Sequence, residues 1–243
     1  MLGLPDEVSA CLFDLDGVLT PTAEIHAQAW KQTFDEFLSH QGGDQKEFDP
    51  VADYDEYVDG KPRYEGVRSF LSSRGIELPE GDPDDPPGED TIDAVGNAKN
   101  ERVLALIREQ GVQAYPGSLA YLQAARDAGL RRAVVSSSTN CRDVLHSAGL
   151  IELVEEIVDG VVAARERLRG KPAPDTFAAA AARLGVDPAH AAVFEDALAG
   201  VQAGRAGGFG CVIGVDRVGQ ADALREHGAD TVVTDLADLL LRP

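Results

Sequence analysis

Two aspartates one residue apart close an apolar run in Cys11-Leu12-Phe13-Asp14-Leu15-Asp16-Gly17-Val18-Leu19-Thr20. Side chains two apart on a strand point the same way, so Asp14 and Asp16 leave a sheet edge together and aim two carboxylates at one small volume. Their repulsion needs an offset, and a bound divalent cation supplies one, because hard cations take oxygen ligands. Alone, Asp-x-Asp-Gly reads better as a polar turn capping a helix, but three further segments change that judgement. Ser136-Ser137-Ser138-Thr139-Asn140 follows Val134-Val135, Gly170-Lys171-Pro172-Ala173-Pro174-Asp175 forms a loop, and Glu195-Asp196 follows Val193-Phe194. Taken singly, the serine-rich run is a helix cap, Lys171 is a loop cation outside any P-loop because Pro172 follows it, and Glu195-Asp196 are acids that suit a helix N-terminus. Taken together and in order, they supply a nucleophile, a hydroxyl, a cation and metal-binding acids.

The elements that must position these groups are legible as runs. From about residue 114 onward, short β-rich stretches at 132–136, 157–158, 192–195, 211–215 and 231–233 alternate with helical patterns at 118–128, 142–148, 174–184, 197–206 and 220–226. Continuously apolar strands suit a parallel sheet covered on both faces. The sequence therefore predicts an α/β fold, a doubly wound parallel sheet, with its ligand site at the carboxyl ends of the strands. Residues 22–112 break the rhythm with helices at 23–38, 64–74 and 91–110 and no convincing strand, which predicts an inserted helical cap domain. Turn-like borders at Pro21 and Tyr115-Pro116-Gly117 set a core of 1–21 and 114–243 and a cap of 22–113. The acidic, proline-rich run at 77–90 reads as an exposed loop without function.

Composition bounds the rest. A chain of 243 residues with 44% hydrophobic content can bury a sheet. No apolar run is long enough to span a bilayer, and Met1-Leu2-Gly3-Leu4-Pro5-Asp6-Glu7 lacks the pattern of a secretory signal, so a cytoplasmic setting is expected. Cys11, Cys141 and Cys211 form no Cys-x-x-Cys and are expected as reduced, mostly buried thiols. A net charge of −20 argues against nucleic acid and anionic membrane as partners. It also opposes a small phosphorylated ligand at long range, so any phosphate site must concentrate cations, N–H groups or metal locally.

In order and spacing the four segments resemble the motifs of the haloacid dehalogenase superfamily, over almost the whole chain. The resemblance implies that Asp14 is a nucleophile attacking phosphorus to give an aspartyl phosphate, and that Asp16 is the general acid and base. It implies Mg2+ held by the Asp14 carboxylate, the Asp16 carbonyl and the Glu195-Asp196 pair, with Ser136 and Lys171 holding the remaining phosphate oxygens. Such chemistry is sensible, since a covalent intermediate divides one hard displacement into two easier ones and phosphoryl transfer needs mainly alignment and charge neutralisation.

The helical insert marks the capped branch, and the chain is similar to β-phosphoglucomutases and their phosphosugar phosphatase relatives. Thr22 and His26 match the family's entry into the cap, Gly60-Lys61-Pro62-Arg63 resembles the cap loop whose arginine grips a non-reacting phosphate, and Lys99-Asn100 resembles a cap lysine and asparagine. Ser138 and Asn140 are implied on the substrate side. The implied reaction converts β-glucose 1-phosphate to glucose 6-phosphate; the alternatives are a phosphosugar phosphatase and, less favoured, a silent sugar-phosphate-binding protein. Packing also accounts for His26 and Trp30, four apart on one helical face, and Lys61 and Lys99 also read as solvated lysines. Arg63 is the stronger choice for a phosphate because its guanidinium binds bidentately. The chain departs from the family at Thr139, where a lysine is common, and at Pro21, where an acid is. A small-molecule phosphosugar and a monomer complete the expectation.

Overall fold

The computed structural model describes residues 2–42 and 45–240. The outer bounds expected for the core, 1 and 243, lie outside these residues, as does Met1 of the N-terminal segment. Two compact units emerge, one formed by Met1–Thr22 with Val112–Pro243 and the other by Ala23–Gly111.

Six strands form one parallel sheet: β1 Ala10–Phe13, β2 Arg131–Val135, β3 Glu156–Val158, β4 Ala191–Glu195, β5 Cys211–Val215 and β6 Thr231–Val233, ordered β3-β2-β1-β4-β5-β6. The helices along the chain are α1 Thr22–Gln41, α2 Arg63–Ser73, α3 Ile92–Gln110, α4 Pro116–Asp127, α5 Cys141–Ser147, α6 Gly160–Glu166, α7 Asp175–Leu184, α8 Leu198–Ala206, α9 Ala221–Glu226 and α10 Ala237–Leu240. This is the doubly wound α/β architecture that the sequence predicts, with the strand order reversing between β1 and β4, where such sheets open a crevice.

β1 is short, apolar and wholly buried because strands flank it on both sides and helices lie on both faces. Its alternation sorts the faces: Ala10 and Leu12 join a cluster with Phe177, Ala180 and Leu184 of α7. Phe13 points the other way, stacking on Phe194 at 4.5 Å and meeting Tyr121 of α4 edge-on at 6.2 Å. The register pairs Phe13 with Phe194, and the Asp14 N–H donates to the Phe194 carbonyl at 2.9 Å. Asp14 therefore leaves β1 beside the point where Glu195 ends β4.

Two helices escape the sequence reading, α6 and α10. α6 opens on glycine, and Asp159 caps it by accepting from the Val162 N–H at 2.8 Å. All three cysteines are free and buried.

The second unit holds α1, α2, α3 and a π-helical turn at Tyr54–Val58. Its core is aromatic: Phe34 lies between Trp30, Phe48 and Phe70 at centroid distances of 4.9, 5.3 and 4.1 Å. Thr91 starts α3 by accepting from the Ala94 N–H at 3.0 Å. The 77–90 segment is an exposed loop, fastened to the unit at a few points. Leu78 packs on the aromatic core, the Pro79 carbonyl accepts from the Ile92 N–H at 3.0 Å, and Glu80 takes a forked bond from Arg68. Among the described residues, no helix is long and apolar enough to cross a membrane.

Candidate active site

Strand parity aims the acids. Ala10 and Leu12 face α7, and Asp14 continues that side; Ala191 and Val193 face it from β4, and Glu195 continues theirs. Lys171, in the loop before α7, meets both. Its ammonium donates to Asp14 Oδ1 and to the Val135 carbonyl at 3.2 Å, and ion-pairs with Glu195. The Lys171 side chain is 1% exposed and lies 5.1 Å over the Phe177 ring, so it is a buried member of the site and not a surface cation. Burial pulls this ammonium down, but Asp14 and Glu195 outweigh it and hold it well above the ordinary lysine range, so it stays charged at neutral pH.

Burial pushes the Asp14 carboxyl up; Lys171 draws it back, and Glu195 and Asp16 push it up again, leaving it well above the usual carboxylate range. The region is short of positive charge. Ligand oxygens of Asp14, Glu195 and Asp196 lie within 4.8 Å of one another, three carboxylates against one ammonium. Glu195 Oε1 faces the Lys171 ammonium in their ion pair, while Glu195 Oε2 accepts from the Ala197 N–H at 3.2 Å. An all-oxygen, acid-rich donor set of this kind fits a hard divalent cation such as magnesium.

Two glycines make room for these acids. A Cβ on Gly17, where φ is +80°, would fall 1.7 Å from Asp196 Oδ2. A Cβ on Gly200 would fall 1.9 Å from the Glu195 carboxylate carbon. The carboxylates thus rest against main chain at both places, an approach only glycine permits.

Asp16 takes a separate position. Its Oδ1 accepts from Thr22 Oγ1 and its Oδ2 from Ser136 Oγ at 3.4 Å, so its carboxylate stands outside the Asp14, Glu195 and Asp196 cluster. Thr22 Oγ1 in turn lies 2.7 Å from Thr20 Oγ1, which donates to the Leu15 carbonyl. The turn from Asp16 to Thr20 closes through a Gly17 N–H bond to the Thr20 carbonyl at 2.7 Å. The serine-rich run does not cap α5 through Asn140, whose side chain makes no capping bond. Instead the Ser138 N–H donates to Ser136 Oγ and the Asn140 N–H to Ser138 Oγ, each at 3.1 Å, winding the loop about its own hydroxyls. Asp14, Lys171, Glu195 and Asp196 accordingly form one group and Asp16, Thr22 and Ser136 a second, with Ser138 and Asn140 joined to the latter through Ser136.

His26, Gly60, Arg63 and Lys99 belong to the second unit. Lys99 is 5% exposed, with Nζ 2.9 Å from His26 Nδ1 and 4.8 Å over the Trp30 ring, which overturns its reading as a solvated charge. Trp30 itself is core. Lys61 spends its donors on the Glu56 and Tyr57 carbonyls and Ser69 Oγ at 3.0–3.1 Å, so it staples the loop that holds Gly60 and is likewise not a solvated lysine. Arg63 donates to Tyr64 Oη at 3.0 Å and lies 4.8 Å over that ring. Among the described residues, its buried Nε has no hydrogen-bond partner.

Sequence reasoning missed Thr20, Gly17, Gly200, Arg217 and Gln220. Arg217 donates to the Gly17 carbonyl at 2.7 Å and Gln220 to the Asp196 carbonyl at 3.1 Å. A signal was present for Arg217: in so acidic a chain, a basic residue just after a strand's carboxyl end merits attention.

With this geometry established, comparison with known proteins gives a consistent picture. A family model for haloacid dehalogenase-like hydrolases matches residues 8–208. The chain is 57% identical over 247 residues to a β-phosphoglucomutase of Mycobacterium bovis, covering 99% of this chain and 94% of that one. The crystal structure of β-phosphoglucomutase from Clostridium difficile superposes with a TM-score of 0.75 at 26% identity, covering 96% of this chain and 93% of that one. CbbY from Rhodobacter sphaeroides, in complex with phosphate, gives 0.71 at 28% identity with 96% of each chain covered. The parallel sheet, the acids at its carboxyl edge and the family model agree, and the chain belongs to the haloacid dehalogenase-like hydrolase family.

Proposed function

We propose that this chain is a phosphosugar mutase that converts β-glucose 1-phosphate to glucose 6-phosphate through phospho-Asp14. The observation that carries the proposal is the buried Asp14 beside Lys171, with Asp16 held apart on hydroxyls. This arrangement supports a reading in which one carboxylate attacks and a second moves protons. The 57% identity to a β-phosphoglucomutase supports the choice of sugar phosphate.

In the first half-reaction an Asp14 oxygen forms a bond to phosphorus as the bond to the 1-oxygen of a glucose bisphosphate breaks, leaving glucose 6-phosphate, and Asp16, entering protonated, gives its proton to that oxygen. In the second, Asp16 takes the proton of the 6-hydroxyl of β-glucose 1-phosphate as its oxygen bonds to phosphorus and Asp14 leaves as carboxylate, restoring the bisphosphate. Lys171 draws the buried Asp14 toward its anionic form and aligns it, and Ser136 Oγ offers a donor to a phosphoryl oxygen. Asp14, Glu195 and Asp196, with the Asp16 carbonyl, would hold magnesium, which when bound supplies charge neutralisation for an anionic nucleophile and an anionic phosphate. To Arg63 we assign the non-reacting phosphate, on the strength of its buried, unpartnered Nε. Thr22, His26, Gly60, Lys99, Ser138 and Asn140 are assigned to substrate binding. The reading includes a monomer in the cytoplasm.

A phosphatase is the second reading, favoured by the hydrolase family model and by Thr139, which brings no cation where relatives of the mutase branch commonly have one. Both activities share the phosphoenzyme and differ in whether a sugar hydroxyl or water accepts the phosphoryl group. The test supplies β-glucose 1-phosphate and magnesium, with and without a glucose bisphosphate, and quantifies glucose 6-phosphate and free phosphate together. Glucose 6-phosphate without matching phosphate release supports the mutase; phosphate in step with substrate loss selects the phosphatase. Asp14→Asn is expected to remove turnover and the acid-labile phosphoprotein, and retained turnover refutes the assignment of the nucleophile. Magnesium binding without turnover of any phosphosugar would mark a silent binding protein.

A further inference from the structure

The short loop after β5 reaches the site from behind, although it contributes no carboxylate to the acid cluster. Asp216 shapes it by accepting from the Gly219 and Gln220 N–H groups at 2.7 and 2.8 Å. From this frame the Arg217 guanidinium donates to the Gly17 carbonyl at 2.7 Å, to the Val18 carbonyl at 3.5 Å and to the Thr234 carbonyl at 2.8 Å. It lies 3.8 Å from the Tyr115 ring centroid and 3.7 Å from Asp235. Three residues on, Gln220 Nε2 donates to the Asp196 carbonyl at 3.1 Å.

These two side chains grip the two halves of one contact. The Asp196 carboxylate rests on the bare Cα of Gly17, as the 1.7 Å approach of a Cβ placed there demonstrates. Arg217 fixes the main chain of Gly17 and Gln220 fixes the main chain of Asp196, from the same loop. A planar guanidinium suits this task, because its fixed fork of donors can bond several carbonyls at once while its face stacks on an aromatic ring. A lysine there could serve one or two of those carbonyls but not the stacking.

We propose that Arg217 and Gln220 are positioning residues that hold Asp196 against Gly17 and so set the spacing at which the acids take a divalent cation. The proposal rests on the reading of the acid cluster as a cation site. Groups that orient ligands without touching the metal commonly carry about tenfold to a hundredfold in affinity when removed. Here the hold acts through main-chain carbonyls, so the lower end applies.

The experiment titrates the full chain with magnesium alone by calorimetry, with manganese and electron paramagnetic resonance as a second readout. Arg217→Met and Gln220→Met are each expected to weaken binding about tenfold. Arg217→Lys, which keeps a donor for the Gly17 carbonyl, is expected to recover part of that loss. In the phosphoryl-transfer assay at fixed subsaturating magnesium, the Met variants are expected to lower kcat and leave KM for the sugar phosphate within about twofold, since neither side chain is assigned to the substrate. Should Arg217→Met fail to fold, Gln220→Met decides the question, since its bond to the Asp196 carbonyl is its link to the site. Met variants that fold and bind magnesium as the parent does overturn the proposal and leave the cation site standing. A parent chain that takes up no magnesium overturns the cation-site reading and the proposal with it.

Discussion

Adding one methyl group at Gly200 sets two effects against each other. Gly200 is the third residue of α8, and in a helix interior alanine is better than glycine by about 1 kcal/mol. On propensity alone Gly200→Ala would stabilise the protein. The new Cβ, however, would lie 1.9 Å from the Glu195 carboxylate carbon and Oε1 and 2.4 Å from Oε2. Carbon atoms pack at about 3.5–4.0 Å, so the carboxylate must retreat by roughly 1.5–2 Å. Glu195 is fully buried, and the retreat takes it from the Lys171 ammonium and the Ala197 N–H. Breaking a buried ion pair costs about 3–5 kcal/mol, because it strands a charge away from water. With the helix gain set against it, a net loss of about 2–4 kcal/mol is expected, which for a domain of this size lowers the melting temperature by roughly 5–15 °C. Scanning calorimetry reads the melting, and magnesium titration on the same samples reads the cation site. The expected result is a lower melting temperature together with magnesium binding at least about tenfold weaker, since Glu195 leaves the donor cluster. If α8 moved instead of Glu195, overpacking would cost about 1–3 kcal/mol with cation binding intact. A variant that melts higher than the parent and binds magnesium equally well refutes the placement of the Glu195 carboxylate over Gly200.

Two further outcomes test other parts of the molecule. Asp159 both caps α6 and pairs with Arg142 at 3.2 Å; Asp159→Ala is expected to cost about 1–2 kcal/mol by urea unfolding, and Asp159→Asn, which keeps a capping oxygen, distinctly less. Equal losses in the two variants would show that the cap is not the source of the stability. The three thiols are expected to resist alkylation in the native protein at pH 8 and to react fully in denaturant. Burial pushes all three up: Cys11 and Cys141 far above the usual thiol range and Cys211 to about 11. At pH 8 the Cys211 thiolate is then only about one part in a thousand, and thiolate is the reactive form. Rapid labelling of the native chain at any of the three would contradict their burial.

The fold was legible because its signals are local. Continuous apolar runs mark β1, β2, β4 and β5, and the helices between them came out within a residue or two of their observed ends, except for the unread α6 and α10. The inventory of acids, serines and one lysine at the strand ends was legible for a similar reason: each stands just beyond an apolar run or in a connecting loop. What each does there was not. Lys171 and Asp14 are 157 positions apart, and no pattern in the chain states that the ammonium is buried between Asp14 and Glu195. Nor does one state that Asp16 turns to Thr22 and Ser136 while Asp196 turns to Gly17.

Sequence alone determined which residue types reach the carboxyl edge of the sheet, because strand and helix periodicity are properties of neighbouring residues. Tertiary structure decided which of those residues meet. Strand parity and register bring Asp14 beside Glu195, and two glycines give the carboxylates their places. Arg217, 200 positions from Gly17, fastens the turn behind them. The reason is physical: burial, charge pairing and steric approach depend on distance in space, and the fold brings together groups that the chain keeps far apart.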